Sequence, residues 1–350
     1  MASPAAPAIT TVACIGGGVI GGGWVARFLS YGVDVVVHDP HPDARRIIDD
    51  VVANAQRANM ALGVTEGVEP GRLVFVPSIA EAVTEAGYIQ ESVPERLDLK
   101  HRIFAEIEAA AASDALIASS TSGFTPSALR EGMRQPERLI VAHPFNPVYL
   151  LPLVELVGGP GGAQALDRAT ALLERVGMFP LRVRREIDAH IADRLLEAVW
   201  REALWLVKDG VATTGEIDDA IRMGFGLRWA QMGVFETYRI AGGEAGMRHF
   251  LEQFGPALKW PWTKLMDVPD LDDSLIDTIV QQSDAQSGGM SISDLERVRD
   301  DNLVAILKSL QSAREGAGWG AGMVLNQTAR RVARPGVGVD PGATSQSISR

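Results

Sequence analysis

The first half of the chain alternates short apolar segments with longer ones whose apolar residues recur every three or four positions. Short runs rich in β-branched residues predict strands, and the longer period predicts helices. The predicted strands are 11–15, 34–38, 72–75, 87–90, 115–119, 139–143, 153–157 and 179–182. Because helical patterns separate most of them, this half is predicted to be a doubly wound α/β domain with a parallel sheet.

The pattern changes after about residue 187. Residues 189–207 form one long helical run, and further helical patterns follow it. We therefore predict a sheet domain at 1–187 and an all-helical second domain at 188–315. Residues 316–350 are rich in Gly, Ser, Pro and Ala and show little apolar periodicity, so this tail is predicted to be disordered.

Composition narrows the class of protein. The chain has 350 residues, of which 46% are hydrophobic and 22% charged, which is typical of a globular protein with two domains. Its 33 basic and 44 acidic residues give a formal charge of −11, which argues against nucleic acid or an acidic membrane surface as a partner. No apolar run approaches the roughly 20 residues of a membrane span, and residues 1–7 do not resemble a secretion signal. We expect a cytoplasmic protein.

Cysteine and histidine usage gives no sign of a metal site. Cys14, the single cysteine, lies in an apolar run and cannot form an internal disulfide. No spacing of His, Cys or carboxylate residues matches a metal-binding pattern, so no metal is expected. Cys14 is best interpreted as a buried thiol in a reducing compartment.

A glycine-rich motif follows the first predicted strand. Gly16-Gly17-Gly18-Val19-Ile20-Gly21 places three glycines in G-x-G-x-x-G spacing between a strand and a helix. In this setting the glycines allow a tight turn, close approach to a pyrophosphate and close helix packing, while the helix N-terminus favours the anion. The motif predicts a Rossmann-type dinucleotide-binding domain. The expected cofactor contacts here are Gly16, Gly18, Val19, Ile20 and Gly21.

Asp39 indicates which dinucleotide is bound. It ends the second predicted strand, 23 residues after Gly16, where such domains place an acidic ligand for the ribose. A carboxylate accepts hydrogen bonds from a free 2′-hydroxyl and repels a 2′-phosphate. NAD is therefore favoured, although Arg45 and Arg46 lie nearby and leave NADP as an alternative.

Polar residues that could take part in catalysis cluster at the ends of later strands. Ser122 follows one predicted strand and His143 ends another; the carboxyl ends of these strands face the ligand crevice, and Asn146 comes three residues after His143. Histidine suits the removal of a hydroxyl proton while hydride leaves carbon, and Glu155 could fix its tautomer. Ser122 and Asn146 could hydrogen-bond the reacting oxygen. A structural role for His143 and Glu155 is equally compatible with spacing alone.

Three strings carry a resemblance to a known family: Ser-Ser-Thr-Ser at 119–122, His-Pro-Phe-Asn-Pro at 143–147 and Leu-Val-Glu-Leu-Val at 153–157. They resemble the 3-hydroxyacyl-CoA dehydrogenase superfamily over residues 10–315. The resemblance implies His143 as base, Glu155 as its partner, and Ser122 and Asn146 as substrate contacts. It further implies that Glu95 and Lys100 lie near the nicotinamide ribose.

Some residues expected to bind the substrate differ from those of the acyl-CoA enzymes. Asp193 replaces an asparagine before the arginine of the first long helix, which suggests a different substrate head. Residues 1–99 contain no lysine, so a clamp for the phosphates of coenzyme A is missing from the expected place.

Further strings at 224–230, 235–238 and 259–264 resemble the L-carnitine dehydrogenase branch of the superfamily. That resemblance implies NAD-dependent oxidation of L-carnitine to 3-dehydrocarnitine. A trimethylammonium group requires aromatic faces or carboxylates. The candidate substrate residues are Phe145, Asp193, Arg228, Trp229 and Phe254, with Arg228 assigned to the carboxylate; each aromatic could instead be a core residue.

Two other functions stay open. One is oxidation of another 3-hydroxy acid, such as 3-hydroxybutyryl-CoA or L-gulonate. The other is a non-catalytic, crystallin-like NAD-binding protein, which gives no reason to keep Ser122, His143 and Glu155 together. The apolar surface of the helical domain and the family resemblance predict a homodimer that pairs through that domain.

Overall fold

A computed structural model describes residues 9–241, 250–253, 263, 270, 272–288, 290–313 and 320–332. Eight strands form one sheet. They are β1 (Thr11–Ile15), β2 (Asp34–His38), β3 (Leu73–Phe75), β4 (Tyr88–Glu91), β5 (Leu116–Ser119), β6 (Leu139–Pro144), β7 (Leu153–Gly158) and β8 (Phe179–Arg182). The eight predicted strands are confirmed, with ends that differ by at most one residue.

The strand order is β3-β2-β1-β4-β5-β6-β7-β8. Neighbouring strands run parallel except β6 and β7, which are antiparallel and place His143 directly opposite Glu155. Strands β2 and β3 are added on one side of β1, and the strands from β4 onward are added on the other side, so the crevice at this switch point lies beside the glycine-rich turn. The doubly wound sheet followed by helices is confirmed.

Helices cover both faces of the sheet. The helices of this half are α1 (Val19–Ser30), α2 (Ala44–Leu62), α3 (Ile79–Val83), α4 (Leu97–Ala110), α5 (Pro126–Leu129) and α6 (Ala163–Arg175). Trp24 and Phe28 of α1 belong to the core on one face, and Phe104 and Ile107 of α4 to the core on the other. Cys14 is buried and free, as predicted. Strands buried on both sides explain the continuous apolar runs in the sequence.

In the described part of the chain, only helices follow β8. They are α7 (Ala192–Lys208), α8 (Thr214–Ala220), α9 (Gly226–Ala241), α10 (Asp273–Ser287), α11 (Ile292–Ser312) and α12 (Gly320–Val332), with a short π-helical turn at Ile221–Phe225. The domain boundary near residue 187 stays a prediction. None of the described helices combines the length and apolarity needed to cross a membrane.

The predicted disorder of 316–350 is wrong for its middle part. Residues 320–332 form α12, whose Val324, Leu325 and Thr328 are buried. These three positions recur at helical spacing, but the surrounding small residues conceal the period. Helix α12 packs on α11, which is itself anchored to the sheet domain because Tyr149 donates a 2.6 Å hydrogen bond to Asp300. Residues 333–350 lie outside the described residues.

Candidate active site

The glycine-rich turn between β1 and α1 is shaped by close backbone approaches. Gly16 has a φ of +95°, and a Cβ there would lie 2.7 Å from the carbonyl oxygen of Ser92. A Cβ on Gly21 would lie 1.9 Å from the carbonyl oxygen of Gly16. A Cβ on Gly18 would meet nothing within 4 Å. Gly16 and Gly21 are thus required by the protein's own backbone, whereas Gly18 faces open space of the kind that a pyrophosphate needs.

Asp39 borders the same turn. Its Oδ2 accepts a 2.6 Å hydrogen bond from the Gly17 amide, and its Oδ1 accepts one of 2.7 Å from the His41 amide. A cavity of about 700 Å³ opens beside it. The lining residues include Gly16, Gly18, Val19, Ile20, Asp39 and Val93. All the predicted contacts of the glycine motif except Gly21, which packs beneath the turn, therefore line one cavity together with Asp39.

The two arginines that left NADP open are engaged elsewhere. The Arg45 guanidinium stacks over the Phe75 ring at 4.3 Å, and Arg46 pairs with Asp50 at 3.3 Å. Asp39 is therefore the ionic group that lines the dinucleotide cavity, and it favours a free ribose hydroxyl over a phosphate.

A histidine and a glutamate face each other on the antiparallel strands β6 and β7. His143 Nδ1 lies 3.0 Å from Glu155 Oε2, and both residues are buried. Because an ionised carboxylate can only accept, His143 Nδ1 carries a proton, and in the neutral imidazole Nε2 is then the nitrogen with the lone pair. The pair has the geometry of a general base with an orienting carboxylate.

The second oxygen of Glu155 is held by the start of α7. Oε1 accepts hydrogen bonds from the amides of Ile191 at 2.9 Å and Ala192 at 3.0 Å. Burial raises the pKa of Glu155, but the hydrogen bonds from His143 and from these two amides outweigh it and bring the pKa below its ordinary value. Glu155 is therefore an anion that is held in place by His143 of β6 and by the amides at the start of α7.

A second histidine adjoins the first. The ring centroids of His190 and His143 lie 5.5 Å apart, and His190 is fully buried just before α7. Its Nε2 lies 3.2 Å from the carbonyl oxygen of Thr121. No spacing in the sequence links His190 to His143.

Glu95 follows β4 and pairs with Lys100 of α4, which is not among the residues that line the cavity. Its ammonium pairs with buried Glu91 at 2.7 Å and with Glu95 at 3.3 Å, and only 1% of its side chain is exposed. Glu95 in turn accepts a very short hydrogen bond from the Thr121 hydroxyl. Lys100 therefore positions Glu95, and Glu91, which sequence reasoning missed, is the ion that keeps Lys100 buried. A charged residue ending a buried strand is the signal that could have found Glu91.

The three residues predicted beside the base, Ser122, Phe145 and Asn146, differ in how deeply they are buried. Ser122 is half-buried in the loop after β5, and Asn146 is exposed and precedes a cis proline at 147. The Phe145 ring lies 5.2 Å from the His143 ring and is half-buried. Phe145 is thus the predicted substrate aromatic that the structure brings to His143.

The other substrate candidates are not all brought together. Asp193 lies in the first turn of α7, half-buried, and burial raises its pKa. Arg228 is exposed, and Trp229 packs on Phe225 at 4.5 Å. In the described part of the chain, neither Arg228 nor Trp229 forms a hydrogen bond, ion pair or ring contact with the base. Phe254 lies outside the described residues. The described residues contain no cluster of metal-ligating side chains.

Two family models match the chain in succession. Residues 11–187 match the NAD binding domain of 3-hydroxyacyl-CoA dehydrogenase, and residues 190–271 match its C-terminal domain. The chain belongs to the 3-hydroxyacyl-CoA dehydrogenase family. Its first domain is the NAD-binding domain of that family, so the expectation of NAD as cofactor is confirmed.

Several relatives within the family share more than half of their aligned residues with this chain. One from Agrobacterium fabrum, an L-carnitine dehydrogenase/betainyl-CoA thioesterase, is 66% identical over 91% of this chain and 65% of its own length. An L-carnitine dehydrogenase from Mesorhizobium japonicum is 56% identical over 93% of this chain and 90% of its own length. The chain therefore spans about two thirds of the length of the two-function relatives that it matches.

Two solved structures have the same architecture. A 5-formyl-3-hydroxy-2-methylpyridine 4-carboxylic acid 5-dehydrogenase superposes with a TM-score of 0.72, at 25% identity, over 87% of this chain and 99% of its own. The (S)-3-hydroxybutyryl-CoA dehydrogenase from Ralstonia eutropha superposes with a TM-score of 0.54, at 21% identity, over 82% of this chain and 97% of its own. The second likeness shows the fold alone.

Proposed function

We propose that this protein oxidises L-carnitine to 3-dehydrocarnitine with NAD. The observation that carries the chemistry is the buried His143–Glu155 pair, with His143 near the carboxyl end of β6 in the sheet whose β1 leads into the glycine-rich turn. The choice of substrate is supported by relatives of 55–66% identity that are named L-carnitine dehydrogenase.

His143 acts as the general base. Its Nε2 takes the proton of the 3-hydroxyl while the C3–H bond breaks as hydride and the C3–O bond becomes a carbonyl. Bound NAD supplies the hydride acceptor. Glu155 keeps His143 in the required tautomer and stabilises the imidazolium that forms, because its charge stays fixed by the amides of α7.

Ser122 and Asn146 hold the reacting oxygen, and Glu95 positions the nicotinamide end of the cofactor with support from Lys100. Both assignments are supported by placement: Ser122 follows β5, and Glu95 follows β4, at the carboxyl edge of the sheet. Phe145 offers an aromatic face to the trimethylammonium group, since it already contacts His143. We assign Arg228 to the substrate carboxylate, and Trp229 and Phe254 to its cation. These roles require the helical domain to bring the three residues to the carboxyl edge of the sheet.

Formation of NADH tests the proposal. Purified protein and NAD are offered L-carnitine, D-carnitine, 3-hydroxybutyrate, L-gulonate and 3-hydroxybutyryl-CoA in parallel. Strong turnover of L-carnitine alone is expected. Turnover only of the CoA ester or of gulonate would show that the proposed substrate is wrong, while the proposed role of His143 as base would stand. Binding of NAD without any turnover would favour the non-catalytic alternative.

We also propose a homodimer that forms through the helical domain. Three large apolar residues of α7 are more than half exposed: Leu195 at 60%, and Leu196 and Trp200 at 53% each. Leu196 and Trp200 line an apolar cavity of about 200 Å³ between α7 and α8. Exposed apolar area of this kind is typical of a subunit interface. Light scattering should give twice the chain mass for the native protein and a monomer for Trp200→Glu; a native monomer would refute pairing.

A further inference from the structure

His190 is a buried imidazole with one unpartnered nitrogen. The residue has no exposed surface. Because the carbonyl oxygen of Thr121 can only accept, His190 Nε2 carries the proton, and Nδ1 is left as a bare acceptor. No hydrogen-bond partner for this Nδ1 occurs among the described residues. A buried polar atom without a partner is costly and calls for a physical reason.

The backbone around His190 is also unusual. Ala189 and His190 both have left-handed conformations, with φ of +58° and +50°, which are unfavourable for residues with a Cβ. The Ala189 amide donates to the carbonyl oxygen of Gly123 at 3.2 Å, and the next amide, of Ile191, donates to Glu155. This corner therefore links the loop that carries Ser122 to the His143–Glu155 pair. Strained backbone of this kind concentrates at functional sites.

Each element packed around His190 contributes a defined group. The titratable groups facing it are His143 of β6, Glu155 of β7 and Asp193 of α7, and the loop after β5 contributes the Thr121 carbonyl. Burial lowers the pKa of His190, and the neighbouring His143 lowers it further; the Thr121 carbonyl, Glu155 and Asp193 oppose the change but do not reverse it. His190 therefore stays neutral at neutral pH.

We propose that His190 is a positioning residue whose Nδ1 accepts a hydrogen bond from His143 once His143 Nε2 has taken the substrate proton. The inference rests on the proposed role of His143 as base. In the resting state both nitrogens are lone-pair acceptors, so no hydrogen bond joins the rings, in agreement with the structure. Proton transfer turns His143 Nε2 into a donor, and the bare acceptor then gains its partner.

Burial and distance select His143 as the donor. His190 has no exposed surface, and His143 is the neighbouring side chain that gains an N–H during the reaction. Two imidazoles joined by an N–H···N bond have centroids about 5 Å apart. The observed centroid distance is 5.5 Å, with the ring planes at 50°, which is close to that separation. His190 thus stabilises the protonated base selectively, which is the condition for a contribution to catalysis.

Two variants separate the two nitrogens of His190. His190→Gln keeps an N–H group near the position of Nε2, for Thr121, and removes the acceptor at Nδ1. His190→Asn keeps an acceptor near the position of Nδ1, is too short to reach Thr121, and tolerates the left-handed backbone. Since the acceptor stabilises protonated His143, its loss should move the acid limb of the pH profile of kcat/KM to lower pH. We expect about one pH unit for His190→Gln and at most about 0.3 unit for His190→Asn.

Thermal unfolding controls for damage to the fold. His190→Asn loses the Thr121 hydrogen bond and should unfold at the lower temperature of the two, so the order of stability is opposite to the order of the pH shifts. An acid limb that stays in place in His190→Gln, moves to higher pH, or moves equally in both variants would overturn the proposal.

A titration of His143 by nitrogen-15 NMR, in protein with its six histidines labelled, makes the same comparison without turnover. The midpoint should fall in His190→Gln and stay near the native value in His190→Asn. If L-carnitine is not oxidised and the midpoints still follow this order, the proposed function fails and the His190 contact stands. If carnitine is oxidised and the midpoints do not separate, the contact is refuted.

Discussion

Glutamine at position 155 would test the central pair. In Glu155→Gln the amide oxygen still accepts from the amides of Ile191 and Ala192, so the amide NH₂ faces His143 Nδ1. An NH₂ group donates, and His143 must then accept at Nδ1 and carry its proton at Nε2. The base loses its lone pair, and the imidazolium loses its counter-charge.

The size of the effect follows from the geometry. With about 4 Å between charge centres and an effective dielectric constant of about 20, the lost attraction is about 4 kcal/mol. That corresponds to about 10³-fold in rate, and the equivalent acid-to-amide change in a Ser-His-Asp triad costs about 10⁴-fold. We expect kcat for L-carnitine to fall by about 10³- to 10⁴-fold, while the dissociation constant of NAD is unchanged because the dinucleotide cavity is untouched.

Steady-state oxidation of L-carnitine measures kcat, and calorimetric titration measures NAD binding. Glu106→Gln, on the exposed side of α4, is the matched control and should retain native kcat. A loss in Glu155→Gln smaller than about tenfold, the size of a surface ion pair, would refute the assignment of Glu155 as the partner of the base.

Other substitutions test the cofactor site and the buried charges. Gly18→Ala should keep the native melting temperature and weaken NAD binding in calorimetry, whereas Gly21→Ala, with a Cβ 1.9 Å from a carbonyl oxygen, should not give folded protein by circular dichroism. Lys100→Met leaves Glu91 buried without its cation and should cost about 3–5 kcal/mol in urea unfolding, most of which Glu91→Gln should restore in the double variant. Glu108 is buried, which raises its pKa, but amide hydrogen bonds from residues 134 and 135 outweigh burial and lower the pKa overall. Its stabilisation is therefore present above the ordinary glutamate range and lost as pH falls through the folded value, so Glu108→Gln should lower the melting temperature at neutral pH and converge with the native protein in acid.

The strands and the nucleotide site could be predicted because local pattern determines them. Strand β1 is apolar at every buried position. The motif from Gly16 to Gly21 indicates a dinucleotide-binding turn because a strand precedes it. Asp39 follows from its distance along the chain. Pairing of His143 with Glu155 was expected from the family, and the antiparallel register of β6 and β7 supplies the physical reason.

The remaining features depend on tertiary contacts that spacing does not encode. Lys100 pairs with Glu91 in the interior, a contact that the spacing of the two residues does not reveal. His190 reaches His143 only because two left-handed residues turn the chain before α7. Helix α12 is buried by its neighbours rather than by a strong period of its own.

The three hydrogen bonds of Glu155 couple the His143–Glu155 pair to local opening at the start of α7. One comes from a strand of the sheet, and the other two come from the first amides of the helical region. Local opening at the start of α7 would release two of them and leave the carboxylate free to turn away from His143. The ability of His143 to accept a proton therefore depends on the junction between the sheet and the helices. It requires that the first amides of the helical region stay hydrogen-bonded to Glu155.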